Sequence, residues 1–311
     1  LTYGDLHRAS NRLAHALRAA GLDEGDRVAY LGKESEHYYE ALFACAKTGT
    51  VLVPVNWRLT APEVSHILQD SGTRLLFLEE EFATIVQDMP TAAPHTVVPV
   101  GAIAAWCAEH PDGEPEFEAD PDTPVAQLYT SGTTGLPKGV VLAHRSFFAI
   151  RDALASEGLD WIDWRAGDIA LVGIPGFHVG GLWWATQNLN AGTTVVVMRA
   201  FAARQAVDLI RDLGVTTACV VPAMLRMMLT EPGVGAQDFT TLRKTVYGGS
   251  PISEALLEES IAVLDCEFAQ IYGLTETGNT AVCLPPAAHV PGGALMQAAG
   301  RPYPGVRAKV I

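Results

Sequence analysis

Basic residues are scarce in this chain. Lysine and arginine together number 21 against 35 acids, only five of them are lysines, and the net charge is −14. That balance offers no basic patch for a nucleic-acid backbone or an anionic membrane, so neither is expected as a partner. Long hydrophobic runs are missing as well. Apolar residues make up 49% of the chain, yet no run of eighteen or more occurs, so this content should build a core and not a membrane span. Cysteine is sparse and unpatterned. Cys45, Cys107, Cys219, Cys266 and Cys283 are odd in number and widely spaced, with no C-x-x-C. This argues against a disulfide frame or a thiolate metal site and suits small buried residues in a reducing cytoplasm. A starting methionine and a signal-peptide pattern are also absent, and the chain stops within the apolar run Val310-Ile311. It reads as a cytoplasmic piece cut at both ends, long enough for about two domains. No feature sets an oligomeric state.

What is present is a regular alternation. Leu6, Ala9, Leu13, Leu17 and Ala20 recur at helical spacing between Thr2 and Gly21. Short strands are expected at Val28–Leu31, Val51–Val55 and Arg74–Leu78. Between them lie a helix from Ser35 and one from Thr60-Ala-Pro-Glu63, a capping box with an early proline. Further on, Ile169–Gly173, Thr194–Met198, Thr217–Val221 and Cys266–Ile271 read as strands. Helices are expected near Leu182–Leu189, Ala202–Leu213 and Ala223–Leu229, with another capped by Ser253. This is an α/β pattern with mostly parallel sheets packed in layers. Residues 109–124 hold seven acids and four prolines, which reads as a solvated linker. The expected division is therefore 1–124, then 125–299 carrying the site, then 300–311 as the start of a further, barrel-like subdomain.

One stretch is out of the ordinary. After the strand-like run Val125–Thr130 come Ser131, Gly132, Thr133, Thr134, Gly135, Leu136 and Pro137, then Lys138. Thr130–Gly135 is an unbroken run of hydroxyl and glycine residues. Glycines let backbone N–H groups approach an oxyanion, and the hydroxyls and one ammonium add charge-assisted bonds. A plain surface turn is the alternative, but a phosphate cradle fits better. It is not a Walker loop, because Pro137 stands at the second glycine position and Gly139 follows Lys138 where Ser or Thr would hold Mg²⁺. A P-loop kinase or GTPase is thereby demoted. Three other glycine-bearing turns follow strand-like runs: Pro175–Gly181, Tyr247–Pro251 and Tyr272–Gly278. Ligands of open parallel sheets bind outside the carboxyl ends of strands, so the four turns are expected to converge on one ligand.

Together the turns resemble the adenylate-forming (AMP-binding) superfamily of acyl-CoA synthetases, luciferases and peptide-synthetase adenylation domains. The similarity rests on Tyr129-TSGTTGLPKG-Val140, Pro175-GFHVGG-Leu182, Tyr247-GGSPI-Ser253, Tyr272-GLTETG-Asn279 and Gly300-RPYPG-Val306. Val53-PVNWRL-Thr60 looks like the fatty-acid–CoA ligase branch. The resemblance implies the N-terminal domain of an enzyme in which a carboxylate attacks ATP to give an acyl-adenylate, and coenzyme A then takes the acyl group. ATP, Mg²⁺ and coenzyme A are the implied cofactors and co-substrates, and a fatty or aryl acid is the small-molecule partner.

By the same resemblance, Thr130, Ser131, Gly132, Thr133, Thr134, Gly135 and Lys138 would hold the ATP phosphates. Gly249, Ser250, Pro251 and Tyr272 would hold adenine. His178, Val179, Gly180, Gly181, Tyr247, Gly248 and Gly273 would line the acyl pocket. Thr275, Glu276 and His178 would be catalytic, with Glu276 ligating Mg²⁺. Trp183 and Trp184 are expected as pocket wall or core. Peptide-synthetase domains place an aspartate after the phenylalanine of the second turn, whereas here His178 follows Phe177, which disfavours an amino acid. The family's ribose-binding aspartate and catalytic lysine lie downstream of Gly300-RPYPG and are not among these residues, so this piece is expected to adenylate poorly. A silent nucleotide-binding module and a peptide-synthetase adenylation domain remain the alternatives.

Overall fold

Val51–Val55 shows why a sheet forms in the first half of the chain. All five residues are apolar and buried, the pattern of a strand covered on both faces. In a computed structural model, which describes residues 1–91, 94, 96–131 and 135–309, the chain divides into two units, Leu1–Arg145 and Ser146–Ile311.

The first unit runs α1 (Tyr3–Ala19), β1 (Arg27–Leu31), α2 (Glu36–Ala46), β2 (Val51–Val55), α3 (Ala61–Asp70) and β3 (Thr73–Leu78). It continues with α4 (Ala83–Gln87), β4 (Thr96–Pro99), α5 (Ile103–Trp106), β5 (Pro124–Thr130) and β6 (Lys138–Ala143). The strand order is β4-β3-β1-β2-β5-β6. Every pairing is parallel except the β5–β6 hairpin. Val64, Ile67 and Leu68 of α3 pack on Ala29, Leu31, Val53, Val55 and Leu76 of the sheet, the i, i+3, i+4 stripe of an amphipathic helix. The Thr60 start holds as read, with Glu63 Oε2 accepting from the Thr60 backbone N–H at 2.8 Å.

The second unit runs α6 (Ala149–Ser156), β7 (Ile169–Val172), α7 (Val179–Asn190), β8 (Thr194–Val197), α8 (Ala203–Leu213) and β9 (Thr217–Val220). It ends with α9 (Pro222–Leu229), β10 (Lys244–Gly248), α10 (Glu254–Leu264), β11 (Glu267–Tyr272), β12 (Val282–Leu284) and β13 (Arg301–Pro302). The strand order is β13-β12-β11-β10-β9-β7-β8, parallel from β11 to β8 and antiparallel at β12 and β13. β7 has its successor β8 on one side and β9 on the other, so the winding direction reverses there, which makes a topological switch point. Ala203, Ala206, Val207 and Ile210 of α8 are buried, and Gly214 ends that helix at φ 66°. Among the described residues, no helix is long and apolar enough to cross a membrane.

One boundary differs from expectation. Acidic composition suggested a break before residue 125, but β5 pairs with β2 at Leu52↔Ala126 and folds back as β6, so the division falls after Arg145. Hydrogen bonding across the sheet decides where a strand belongs, and composition does not report it. Arg301 pairs with Cys283 of β12, so β13 forms the edge of the second unit's sheet.

At the amino ends of β10 and β11 an ion network pins the segment before β7. Arg243 bonds Asp168 through Nε (2.8 Å) and Asp163 through Nη1 (2.9 Å). Lys244, 2% exposed, pairs with Asp163 and with Glu267, and donates to Asp160 O. At the other end, Ser253 Oγ accepts from Leu256 N at 3.3 Å and caps α10. Ser253→Ala should lower stability by about 1 kcal/mol, read as a shift in the urea unfolding midpoint.

Candidate active site

The turns after β7, β10 and β11 meet around two adjoining cavities in the second unit. Both lie at the carboxyl ends of parallel strands, where such sheets bind ligands, and the second also borders the switch point.

The first cavity has a volume of about 400 Å³. All four residues expected for adenine line it: Gly249, Ser250, Pro251 and Tyr272. Tyr272 is 55% exposed, so its ring offers an open face. Gln270, Met296 and Gln297 line this cavity as well. Gln270 lies within β11, where a strand is expected, but the 290–300 stretch carries no periodic signal that marks the other two. Gln270 Oε1 is held by the Tyr247 hydroxyl at 3.1 Å, so the buried tyrosine orients a cavity amide from behind.

The second cavity has a volume of about 390 Å³. Of the residues expected for the acyl pocket, His178, Val179, Gly180, Gly248 and Gly273 line it, and Thr275 does too. Two do not. Tyr247 is fully buried within the core cluster around Leu257 and Phe268, and burial pushes its phenol up. β10 is buried along its whole length, so alternation gives no hint of which way Tyr247 faces. Gly181 is a packing residue, since a Cβ there would lie 2.2 Å from Ile174 O. Trp183 and Trp184 are core and not wall, each 1% exposed, with Trp184 Nε1 donating to Leu171 O at 3.1 Å. Ile174, Cys219, Val221 and Asn279 also line the cavity. The first three sit at strand ends, which is the signal that would have found them. Burial pushes the Cys219 thiol up to about 12, so it is a wall and not a nucleophile.

Gly249, Ile271, Gly273 and Leu274 line both cavities and form a seam between them. Glycine is required beside it. A Cβ on Gly248 would lie 2.3 Å from Ile271 O, and one on Gly273 would lie 2.3 Å from Asn279 O. The strand ends therefore approach more closely than any other residue allows. Glu276 lines neither cavity. It is exposed on the turn Thr275–Thr277, which is closed by Leu274 N donating to Thr277 Oγ1 (2.9 Å) and ended by Gly278 at φ 67°.

The fourth turn belongs to the first unit, where it joins the two strands of a hairpin. Thr130 and Lys138 are directly opposed in the β5–β6 ladder. Thr130 is half-buried, Ser131, Gly135 and Lys138 are exposed, and Gly135 has φ 92°. Gly132, Thr133 and Thr134 lie outside the described residues. α3 anchors the hairpin base. His66 Nε2–H donates to Pro137 O (3.1 Å) and the Tyr129 hydroxyl donates to Asp70 Oδ2 (2.7 Å). Burial, and then the Asp70 carboxylate, push the Tyr129 phenol up and keep it a donor.

Among the described residues there is no group of three or more His, Cys, Asp or Glu that would cage a metal. A lone exposed carboxylate such as Glu276 fits Mg²⁺, which takes one or two carboxylates and completes its shell with substrate phosphates and water.

A family model described as AMP-binding enzyme matches residues 1–311. This chain belongs to the AMP-binding enzyme family. Among its relatives, the fatty acid–[acyl-carrier-protein] ligase ScoC of Streptomyces coeruleorubidus is 85% identical over 100% of this chain and 60% of its own length. The long-chain-fatty-acid–CoA ligase FadD13 of Mycobacterium tuberculosis is 36% identical over 89% of this chain and 55% of its own. The inhibitor-bound N-terminal domain of FACL13 from Mycobacterium tuberculosis superposes with a TM-score of 0.88 at 32% identity, covering 97% of this chain and 75% of that one. The chain thus spans a little over half the length of these two AMP-binding relatives, and it has the fold of an N-terminal domain of the family.

Proposed function

We propose that this chain is the nucleotide- and acid-binding part of an ATP-dependent acid–thiol ligase. In the reaction, a carboxylic acid attacks the α-phosphate of ATP, pyrophosphate leaves, and a thiol then displaces AMP from the acyl-adenylate. The observation that carries this reading is the seam. Two cavities of similar size meet at Gly249, Ile271, Gly273 and Leu274, so a nucleotide in one and an acid in the other would bring phosphate and carboxylate together.

A carboxylic acid has a pKa of roughly 4–5 and is ionised at neutral pH, so the first step needs no general base. The task left to the protein is to position two anions and offset their charge. In this reading Tyr272 and Gly249–Pro251 hold adenine, and Thr130, Ser131, Gly132, Thr133, Thr134, Gly135 and Lys138 hold the outer phosphates. Thr275 bonds a phosphate oxygen, and His178 stands at the mouth of the acid cavity. Glu276 would hold Mg²⁺, which supplies charge neutralisation on the phosphates when bound. Among the described residues, none lining the acid cavity carries a carboxylate, so an ammonium group would be desolvated without a partner there. This favours a fatty or related acid over an amino acid. For the thiol, the 85% identical relative named as an acyl-carrier-protein ligase favours a carrier protein over the coenzyme A that the sequence suggested.

Incubating the full-length protein that carries this chain with ATP and a panel of acids, and detecting acyl-adenylates by mass spectrometry, tests the first half. Adding carrier protein or coenzyme A in turn tests the second. No adenylate from any acid would overturn the reading. Glu276→Gln should lower adenylation about 100-fold and raise the Mg²⁺ concentration needed for ATP binding; unchanged Mg²⁺ dependence would remove Glu276 from this role.

A further inference from the structure

β6 is the edge strand of the first unit's sheet, with β5 as its one neighbour among the described residues. Lys138 opens this strand and Gly139 follows it. A strand paired on one side and begun by glycine holds its register weakly, and a slip of one residue shifts it by about 3.3 Å and turns its side chains to the other face. The turn does not set the register either, because residues 131–137 separate Thr130 from Lys138, its partner in the ladder; short, defined turns are the ones that do so. The position of the Lys138 ammonium therefore depends on contacts made outside the turn.

Those contacts exist. His66 and Asp70 stand one helical turn apart on α3 and so share a face. His66 Nε2–H donates to Pro137 O at 3.1 Å, and Asp70 Oδ2 accepts from the Tyr129 hydroxyl at 2.7 Å. One helix face thus grips both the end of β5 and the residue just before β6. Tyr129 is held from behind as well, since Gln127 Nε2 donates to its hydroxyl oxygen at 3.0 Å and Arg27 Nε donates to Gln127 Oε1 at 3.1 Å. In this chain from Arg27 to Asp70 each donor meets one acceptor, which fixes the direction of every bond. Gly139 lies opposite Tyr129 in the ladder, and a Cβ there would collide with Gln127 Nε2 and lie 3.1 Å from Tyr129 Cζ. A slip in either direction would bring Lys138 or Val140, each with a side chain, against that pair.

We propose that His66 is a positioning residue: by holding Pro137 O it locks the register of β6, and with it the place of the Lys138 ammonium against the outer phosphates of the nucleotide. Asp70 and Gln127 support the same lock through Tyr129, and Gly139 is the seat that only this register fills. This rests on the acid–thiol ligase reading above, in which Lys138 holds the phosphates that leave as pyrophosphate. The lock is set from α3, 71 residues before Pro137. Its effect is confined to one half of the reaction. Pyrophosphate is bound during adenylation and during its reversal, but it has left before the thiol attacks, so a misplaced Lys138 weakens the first half and spares the second.

The test measures the two half-reactions separately in the full-length protein. His66→Ala leaves a strong helix former on α3 and removes the bond to Pro137. It should raise KM for ATP in adenylation, and KM for pyrophosphate in the reverse, ATP-forming direction, each by about tenfold, the scale of one lost hydrogen bond. Transfer of a supplied acyl-adenylate to the thiol should keep its rate. His66→Gln, whose amide N–H still donates, should restore both constants. Tyr129→Phe removes only the hydroxyl that Asp70 and Gln127 hold; it should raise the same two constants by itself, and it decides the question if His66→Ala does not fold. If both constants stay unchanged in these variants, if the two half-reactions fall together, or if His66→Gln restores nothing, the inference is wrong while the ligase reading stands. If wild type adenylates no acid at all, the ligase reading fails and takes this inference with it.

Discussion

Asp163→Ala should lower the stability of the second unit by about 3–5 kcal/mol, the range for removing one partner of a buried ion pair. The side chain of Asp163 is 18% exposed and pairs with both Arg243 and Lys244. Lys244 is 2% exposed, so truncating the aspartate leaves a cation in a place that water barely reaches. Glu267 remains near it, but at 52% exposure that carboxylate is mostly solvated and compensates little. The readout is urea unfolding followed by tryptophan fluorescence, since Trp161 and Trp164 flank the site. A loss below about 1 kcal/mol, the surface-pair value, would mean that the network is solvated. Adding Lys244→Met should recover part of the loss, because the stranded charge is then gone.

The same variant has a pH signature. Burial alone would raise the Asp163 carboxyl, but hydrogen bonds and charge from Lys244 and Arg243 outweigh it and hold the group well below the usual carboxylate range. A group depressed on folding contributes its full stability above its unfolded pKa of about 3.9 and loses it as pH falls further. The gap between wild type and Asp163→Ala should therefore be constant from neutral pH down to about 5, then close as pH drops through and below about 4. A gap that widens in acid would contradict this sign.

Gly248→Ala should lower adenylation by the full-length protein about 100-fold. Its Cβ would lie 2.3 Å from Ile271 O and 2.8 Å from Ile271 Cγ1, and a carbonyl in a parallel ladder cannot swing aside as the tip of a flexible side chain can. The ends of β10 and β11 must separate by something near 1 Å, and a misplacement of that size at a reacting centre costs about 10² in rate. Gly180→Ala is the matched control for folding. Its Cβ meets nothing closer than 3.6 Å, so its thermal midpoint should hold while that of Gly248→Ala falls. Full activity in Gly248→Ala would show that the sheet opens freely at this point.

Much of this arrangement is readable in the chain itself. Val51–Val55, the starts at Thr60 and Ser253, and the glycine turns after β7, β10 and β11 announce themselves through local chemistry: uninterrupted apolar residues, capping side chains, and residues without a Cβ. The hairpin strand β6 does not, because it begins with Lys138-Gly139 directly after a glycine-rich turn. β12 and β13 are three and two residues long, too short for any periodicity. The division after Arg145 depends on β5 pairing with a strand some seventy residues earlier. The Arg243–Asp163 and Arg243–Asp168 bonds span 80 and 75 residues. Contacts of that range follow from the three-dimensional path, and no local pattern encodes them. The burial of Tyr247 has a similar origin. A motif places it beside the site in sequence, but the strand turns its ring into the core.

On the proposed assignment, the seam between the two cavities also governs how such a protein can diversify. Ile174, Val179, Cys219 and Val221 border only the acid cavity, so a lineage can exchange them and change diet while its grip on the nucleotide is inherited intact. Gly249, Ile271, Gly273 and Leu274 border both, and a change there alters two binding events at once. Selection for new acids should therefore leave its record on one side of β10 and β11 and stay nearly silent at the strand ends that the two ligands share.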